Sequence, residues 1–112
     1  MTPWFLPLVL LLAGAHAADG VTSAQAQRRG AWEANTLDYG GHHPTDARLA
    51  AVQSAYFAGE AAALWFTGKS QHRAVRWAGR AAIVAFSVYH AGLAVHNSHV
   101  CREGTCQPIH PN

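Results

Sequence analysis

The sequence predicts an all-α protein: an antiparallel helical hairpin over about residues 45–67 and 73–97, preceded by a short helix at about 19–29. Three observations carry this. Leu49, Val52, Tyr56 and Ala63 share one face at helical spacing. The stretch from Arg73 to Asn97 is apolar over most of its circumference, around a narrow polar stripe of Arg73, Arg76, Arg80, Ser87, His90 and Asn97. Only the short polar segment KSQH (69–72) separates the two, so they pack as antiparallel neighbours.

The chain opens with an apolar run from Trp4 to Ala13, followed by Ala15-His16-Ala17, small residues of the kind a signal peptidase reads. Residues 1–17 are therefore expected to be a cleaved signal peptide. A retained anchor is the alternative, because no Lys or Arg precedes the run. For the helix at 19–29, Asp19 offers an N-cap, Arg28 and Arg29 suit the negative end of the helix dipole, and Gly30 is a stop. Gly40, Gly41 and Pro44 then break any regular element.

Thr45 or Asp46 caps the second helix, and Gly68 ends it. One of its faces is almost entirely small (Ala51, Ala55 and Gly59, with Ser54, Ala58 and Ala62), which lets a neighbouring helix approach closely. Folding the hairpin about Lys69 and Ser70 brings Glu60 level with Arg80. A carboxylate inside the apolar stretch AGEAAALWF needs a partner if buried, so a structural Glu60–Arg80 ion pair is expected. The chain divides into the signal segment (1–17), a helical domain (18–98) and a C-terminal tail (99–112).

Charged residues make up 12% of the chain, half of what is usual for a soluble domain, which points to burial in a membrane or an oligomer. Ala47–Phe66 and Ala78–Val95 are about long enough to span a bilayer. Lys69, Arg73 and Arg76 gather at the hairpin tip, which the positive-inside rule places in the cytoplasm with both hairpin ends outside. Membrane embedding and a compact soluble bundle both stay open. The net charge of +2 forms no basic stripe, and nucleic-acid binding is not expected.

The tail, HNSHVCREGTCQPIH, carries three histidines and both cysteines of the chain. In an exported protein, Cys101 and Cys106 are expected to form a disulfide, with Gly104 in the turn between them. The competing assignment is a metal site of His96, His99, Cys101, Cys106 and His110, although their spacing matches no zinc pattern. His42 and His43 read as exposed loop residues and His90 as a hydrogen-bonded interior histidine. Trp32, Trp65 and Trp77 read as interfacial anchors or as core and rim residues. There is no Gly-x-Ser-x-Gly, His-Glu-x-x-His or phosphate loop, so no catalytic residue and no cofactor is expected.

The stretch DGVTSAQAQRRGAWEAN resembles a group of small uncharacterised bacterial envelope or membrane proteins, in which an Asp-x-x-Thr-Thr/Ser helix leads to Gly-x-x-Glu-Ala-Asn-Pro. The matching positions are Asp19, Thr22, Ser23, Gly30, Glu33, Ala34 and Asn35, and Thr36 replaces the proline. The group continues with two apolar helices ending near a His-Asn pair, here His96 and Asn97. The resemblance implies a fold and a location without an activity. Read from their chemistry, Glu33 and Asn35 lock the loop onto the hairpin by satisfying backbone groups. The expected function is therefore that of a non-enzymatic, exported helical protein of the bacterial envelope with a structural or interaction role. Its expected partners are the inner membrane and either a second copy or another envelope protein. The alternative is a periplasmic metal-binding protein using the His/Cys-rich tail.

Overall fold

The computed structural model describes residues 2–102 and 105–110; the turn expected at Gly104 lies outside them. The fold is all-α, as expected. Its elements are α1 (Phe5–Arg28), α2 (Thr36–Tyr39), α3 (Asp46–Gly68), α4 (Arg73–His99), and a short antiparallel ribbon of β1 (Cys101–Arg102) and β2 (Thr105–Cys106). The three long helices form a bundle 53 × 24 × 21 Å in extent.

The first correction concerns α1. The helix expected at 19–29 begins instead at Phe5 and runs through the signal-like segment without a break. Pro7 falls within its first turn, where a missing N–H costs nothing, and Gly14 and Gly20 do not interrupt it. Asp19 is therefore no cap. It lies in mid-helix, fully buried.

α1 lies against both arms of the hairpin, parallel to α4 and antiparallel to α3. At one end the Phe5 and Trp65 rings meet edge to face, 5.3 Å apart. Next comes an apolar layer of Leu12, Leu64 and Ile83, with Phe5, Leu8, Val9 and Phe57 packed on it. At the far end Ala26, Ala31, Val100 and Ile109 form a second apolar layer beside the cysteines. Buried polar residues occupy the span between the two layers.

The register of α3 on α4 explains the second correction. The helices touch first at Thr67 and Gly79, where a Cβ on Gly79 would lie 2.0 Å from Thr67 Oγ1. Leu64 then meets Ile83, and Glu60, about one turn further along α3, comes opposite His90, about two turns further along α4, rather than Arg80. Among the described residues no Glu60–Arg80 pair forms, and the Arg80 guanidinium lies over the Trp77 ring. The first turn and a half of α4 overhangs the contact, which the short-turn reading did not allow for. The small face of α3 (Ala51, Ser54, Ala55, Ala58, Gly59 and Ala62) is exposed.

The connection from α1 to α3 and the tail together close one end of the bundle. Gly30, Gly40 and Gly41 all take positive φ there. Asn35 Oδ1 accepts from the Asp38 N–H to cap α2, and Thr45 Oγ1 accepts from the Arg48 N–H to cap α3. The tail is not a separate appendage. Ile109 pairs in parallel with Glu33 through two backbone bonds, Ile109 N–H to Trp32 O and Ala34 N–H to Ile109 O. Cys101 and Cys106 are joined by a disulfide across the ribbon. Trp32, Trp65 and Trp77 are all exposed.

Candidate functional site: a buried carboxylate–imidazole network

Each long helix contributes a polar seam to the centre of the bundle. From α1 come His16, Asp19 and Ser23; from α3, Gln53 and Glu60; from α4, Ser87, His90 and Asn97. The spacings are three, four or seven residues, the steps that keep side chains on one helix face. The closed end adds Glu33, Tyr39 and His110. Asp19, Ser23, Glu33 and Asn97 have no solvent exposure, and Glu60 is largely buried.

Asp19 is the hub. Its Oδ2 accepts from Gln53 Nε2 at 2.9 Å and His90 Nδ1 at 3.0 Å. Its Oδ1 accepts from His110 Nε2 at 2.8 Å, Asn97 Nδ2 at 3.1 Å and Ser23 Oγ at 3.4 Å. A carboxylate so completely surrounded by donors offsets the large cost of burying its charge.

Both ring nitrogens of His110 face carboxylate oxygens, Asp19 at 2.8 Å and Glu33 at 2.7 Å. Neither oxygen can donate while ionised, so the ring carries both protons. Burial opposes that charge, but the bonds to Asp19 and Glu33 outweigh it and hold the His110 pKa up at about 9. The chain reaches this position through a left-handed residue, φ 47° at His110, and the ring stacks on Tyr39 at 4.9 Å. Burial, and then the charges of Asp19 and Glu33, push the Tyr39 phenol up.

The orientation of Gln53 settles the tautomers on the other side. Its Nε2 donates to Asp19 and to the Tyr39 hydroxyl at 3.0 Å, so its Oε1 is the atom facing His16. His16 Nδ1 must then donate to that oxygen, at 2.7 Å. His90 Nδ1 likewise donates to Asp19. Both imidazoles therefore turn Nε2 toward Glu60: His16 Nε2 lies 2.8 Å from Oε2, and His90 Nε2 3.6 Å from Oε1. The two rings lie 3.8 Å apart.

This cluster sits between two cavities. One, of about 530 Å³, runs between α1 and α3 and borders His16 and Gln53. The other, of about 430 Å³, is lined by Glu60, His90, Asp19 and His110 together with Tyr39, Asn35, Tyr56, Phe86, Tyr89 and Leu93. Both cavities combine polar and apolar walls; the larger also holds Gln25, Arg28 and Asp46.

The residues singled out in the sequence fall as follows. Asp19, Ser23, Glu33 and Asn97 are in the network. Thr22 Oγ1 bonds the Ala18 and Asp19 carbonyls and accepts weakly from Asn97. Glu33 Oε1 accepts from the Asn35 N–H, and the Asn35 side chain bonds Asp38, bonds within the loop and α2 and not onto the hairpin. Of the tail residues proposed as metal ligands, the cysteines are bonded to each other, His96 Nε2 donates to the Pro108 carbonyl, and His99 is exposed. His110 lies in the carboxylate network instead. Among the described residues the tail thus presents no joint ligand set. His42 and His43 are both exposed, as expected, and His42 Nδ1 donates to the Glu33 carbonyl.

His16, Tyr39 and Gln53 were not anticipated. His16 was masked by its flanking alanines, which look like a cleavage motif; its spacing of three from Asp19 was the available signal. A scan against protein-family models finds no match, and neither curated proteins nor solved structures yield one.

Proposed function

We propose that this chain is a non-enzymatic protein of the bacterial envelope, held in the inner membrane by its three long helices. In this reading the buried polar network at the centre of the bundle is a ligand-binding site. The observation that carries it is a sleeve of exposed apolar side chains around a buried ionisable core. Leu6, Leu10, Leu11 and Val21 on α1, Phe66 on α3, and Val84, Val88, Tyr89 and Val95 on α4 all face outward. α1 and α4 are each long and apolar enough to cross a bilayer. Ionisable residues inside such a sleeve are costly, and membrane proteins keep them for binding or transport.

The Cys101–Cys106 disulfide supports one orientation: its end of the bundle lies on the oxidising side, and the end where α1 begins is cytoplasmic. Lys69, Arg73, Arg76 and Arg80 lie at that cytoplasmic end, but Arg28, Arg29 and Arg48 lie towards the disulfide end, so the positive-inside rule does not choose between the two. α1 acts as a retained anchor, because cleavage after Ala17 would remove Leu12 and His16 from the core.

Alkaline carbonate should leave the protein in the membrane fraction, and its intact mass should include residues 1–17. In intact cells a membrane-impermeant maleimide should label Leu37→Cys and spare Ser70→Cys. Release by carbonate, loss of residues 1–17, or the reverse labelling pattern would refute the reading.

A further inference from the structure

We propose that His16, Glu60 and His90 bind one divalent transition-metal ion of the zinc type. This deepens the binding-site reading above but does not depend on the membrane.

The geometry comes first. One ligand atom from each of these residues, on three different helices, lies within 4.8 Å of the other two. Around a tetrahedral zinc ion, with bonds of 2.0–2.2 Å, ligand atoms sit about 3.3 Å apart. The present separations, 2.8 Å from Glu60 Oε2 to His16 Nε2 and 3.6 Å from its other oxygen, Oε1, to His90 Nε2, place both carboxylate oxygens near that distance from an imidazole nitrogen.

The surrounding shell is already built. A metal-binding imidazole commonly donates its other N–H to a carboxylate or carbonyl, which fixes the tautomer and aims the free nitrogen. Here Gln53 Oε1 does this for His16, and Asp19 Oδ2 does it for His90. Gln53 and Asp19 are held in turn by Tyr39, Asn97 and His110. With Nδ1 of His16 committed as a donor, its contact with Glu60 needs a proton between the two atoms. A metal ion would take that proton's place.

Charge points the same way. Asp19, Glu33 and Glu60 bring three carboxylates into the buried centre, and His110 supplies the imidazolium set against them. A cation beside Glu60 corrects the excess of negative charge in a region where unpaired charge is expensive. Two nitrogen ligands and one carboxylate disfavour calcium and magnesium, which take oxygen, and suit zinc and its neighbours. Glu60 and His90 border the 430 Å³ cavity, which leaves room for a fourth ligand. Three protein ligands with an open position is the arrangement that exposes a metal to exchangeable ligands.

The full chain, purified in detergent and stripped with chelator, should bind one Zn²⁺ or Co²⁺ per chain. Co²⁺ should give the visible absorption of a four-coordinate site. His16→Ala, His90→Ala and Glu60→Gln should each weaken binding by about 100-fold or more, and Gln53→Leu by about 10–100-fold. His43→Ala and His99→Ala should leave it unchanged. X-ray absorption of zinc in the wild-type chain needs no variant to fold. It should show two imidazoles and oxygen near 2.0 Å, without sulfur. No stoichiometric binding, a different ligand shell, or affinity that survives the His16 and His90 changes in helical protein would overturn the site. A chain that passes the carbonate and labelling tests but binds no ion loses only the metal. One released by carbonate that still binds one ion loses only the membrane.

Discussion

His110 shows how much one side chain can gather. It faces Asp19 from α1, Glu33 from the loop and the Tyr39 ring from α2. Its pKa rises from 6.5 to about 9, so the folded protein holds this proton more tightly than the unfolded chain does. The contribution to stability is complete below pH 6.5 and is lost as pH rises through 9. Its size is about 3 kcal/mol. Thermal midpoints should therefore fall between pH 6.5 and 9 in the wild type. His110→Gln should start lower and lose most of that slope; an unchanged slope would mean that another group carries it. The sequence displayed this histidine without hinting at its partners, which lie 77 and 91 residues away. Glu60 was more legible. A carboxylate in an apolar run demanded a partner, and only the partner's identity was hidden.

Where α3 first touches α4 decides which residues face each other. Gly79 permits that contact, and Thr67 is held in place by bonds from its hydroxyl to the Ala63 and Leu64 carbonyls. In an open helix, glycine to alanine is worth up to about 1 kcal/mol of stabilisation. Gly79→Ala should instead cost about 1–3 kcal/mol through the clash, and Thr67→Ala in the same chain should restore only part of it, because the Thr67 Cβ that alanine keeps lies 2.7 Å from the added carbon. Gly59→Ala, which meets nothing within 4 Å, serves as the control. Unfolding midpoints of these variants check it. The helical periods of α3 and α4 were plain in the sequence, and their bounds lie within about two residues of expectation. α1 was foreshortened because an apolar run followed by small residues has the same composition whether it is cleaved or kept. The polar seams were present as spacings, but a lone His, Gln or Ser in a helix does not declare which way it faces.

The molecule as a whole is closed at one end by its own tail. Ile109 and His110 plug that end, while the disulfide closes a small loop beside it. Cross-linking so short a loop restricts the unfolded chain little, and its contribution is about 2 kcal/mol. Deleting residues 107–112 removes Ile109 from its apolar layer and leaves Asp19 and Glu33 without their shared cation. Thermal unfolding should therefore show a larger loss for the deletion than for Cys101→Ser with Cys106→Ser. The opposite order would mean that the clasp, not the plug, holds the end shut.

Periodicity, capping residues and breakers act within a few residues of one another, so the chain's own text specified three things: the helices α3 and α4, their antiparallel hairpin and the proximity of the two cysteines. The meeting of His16, Asp19, Glu60, His90 and His110 was decided elsewhere. It required α1 to lie along both arms of the hairpin, α3 to slide on α4 to the Thr67–Gly79 contact, and the tail to fold back onto Glu33. Those are encounters between distant segments, set by shape and by the need of buried charges for partners, and no local pattern encodes them.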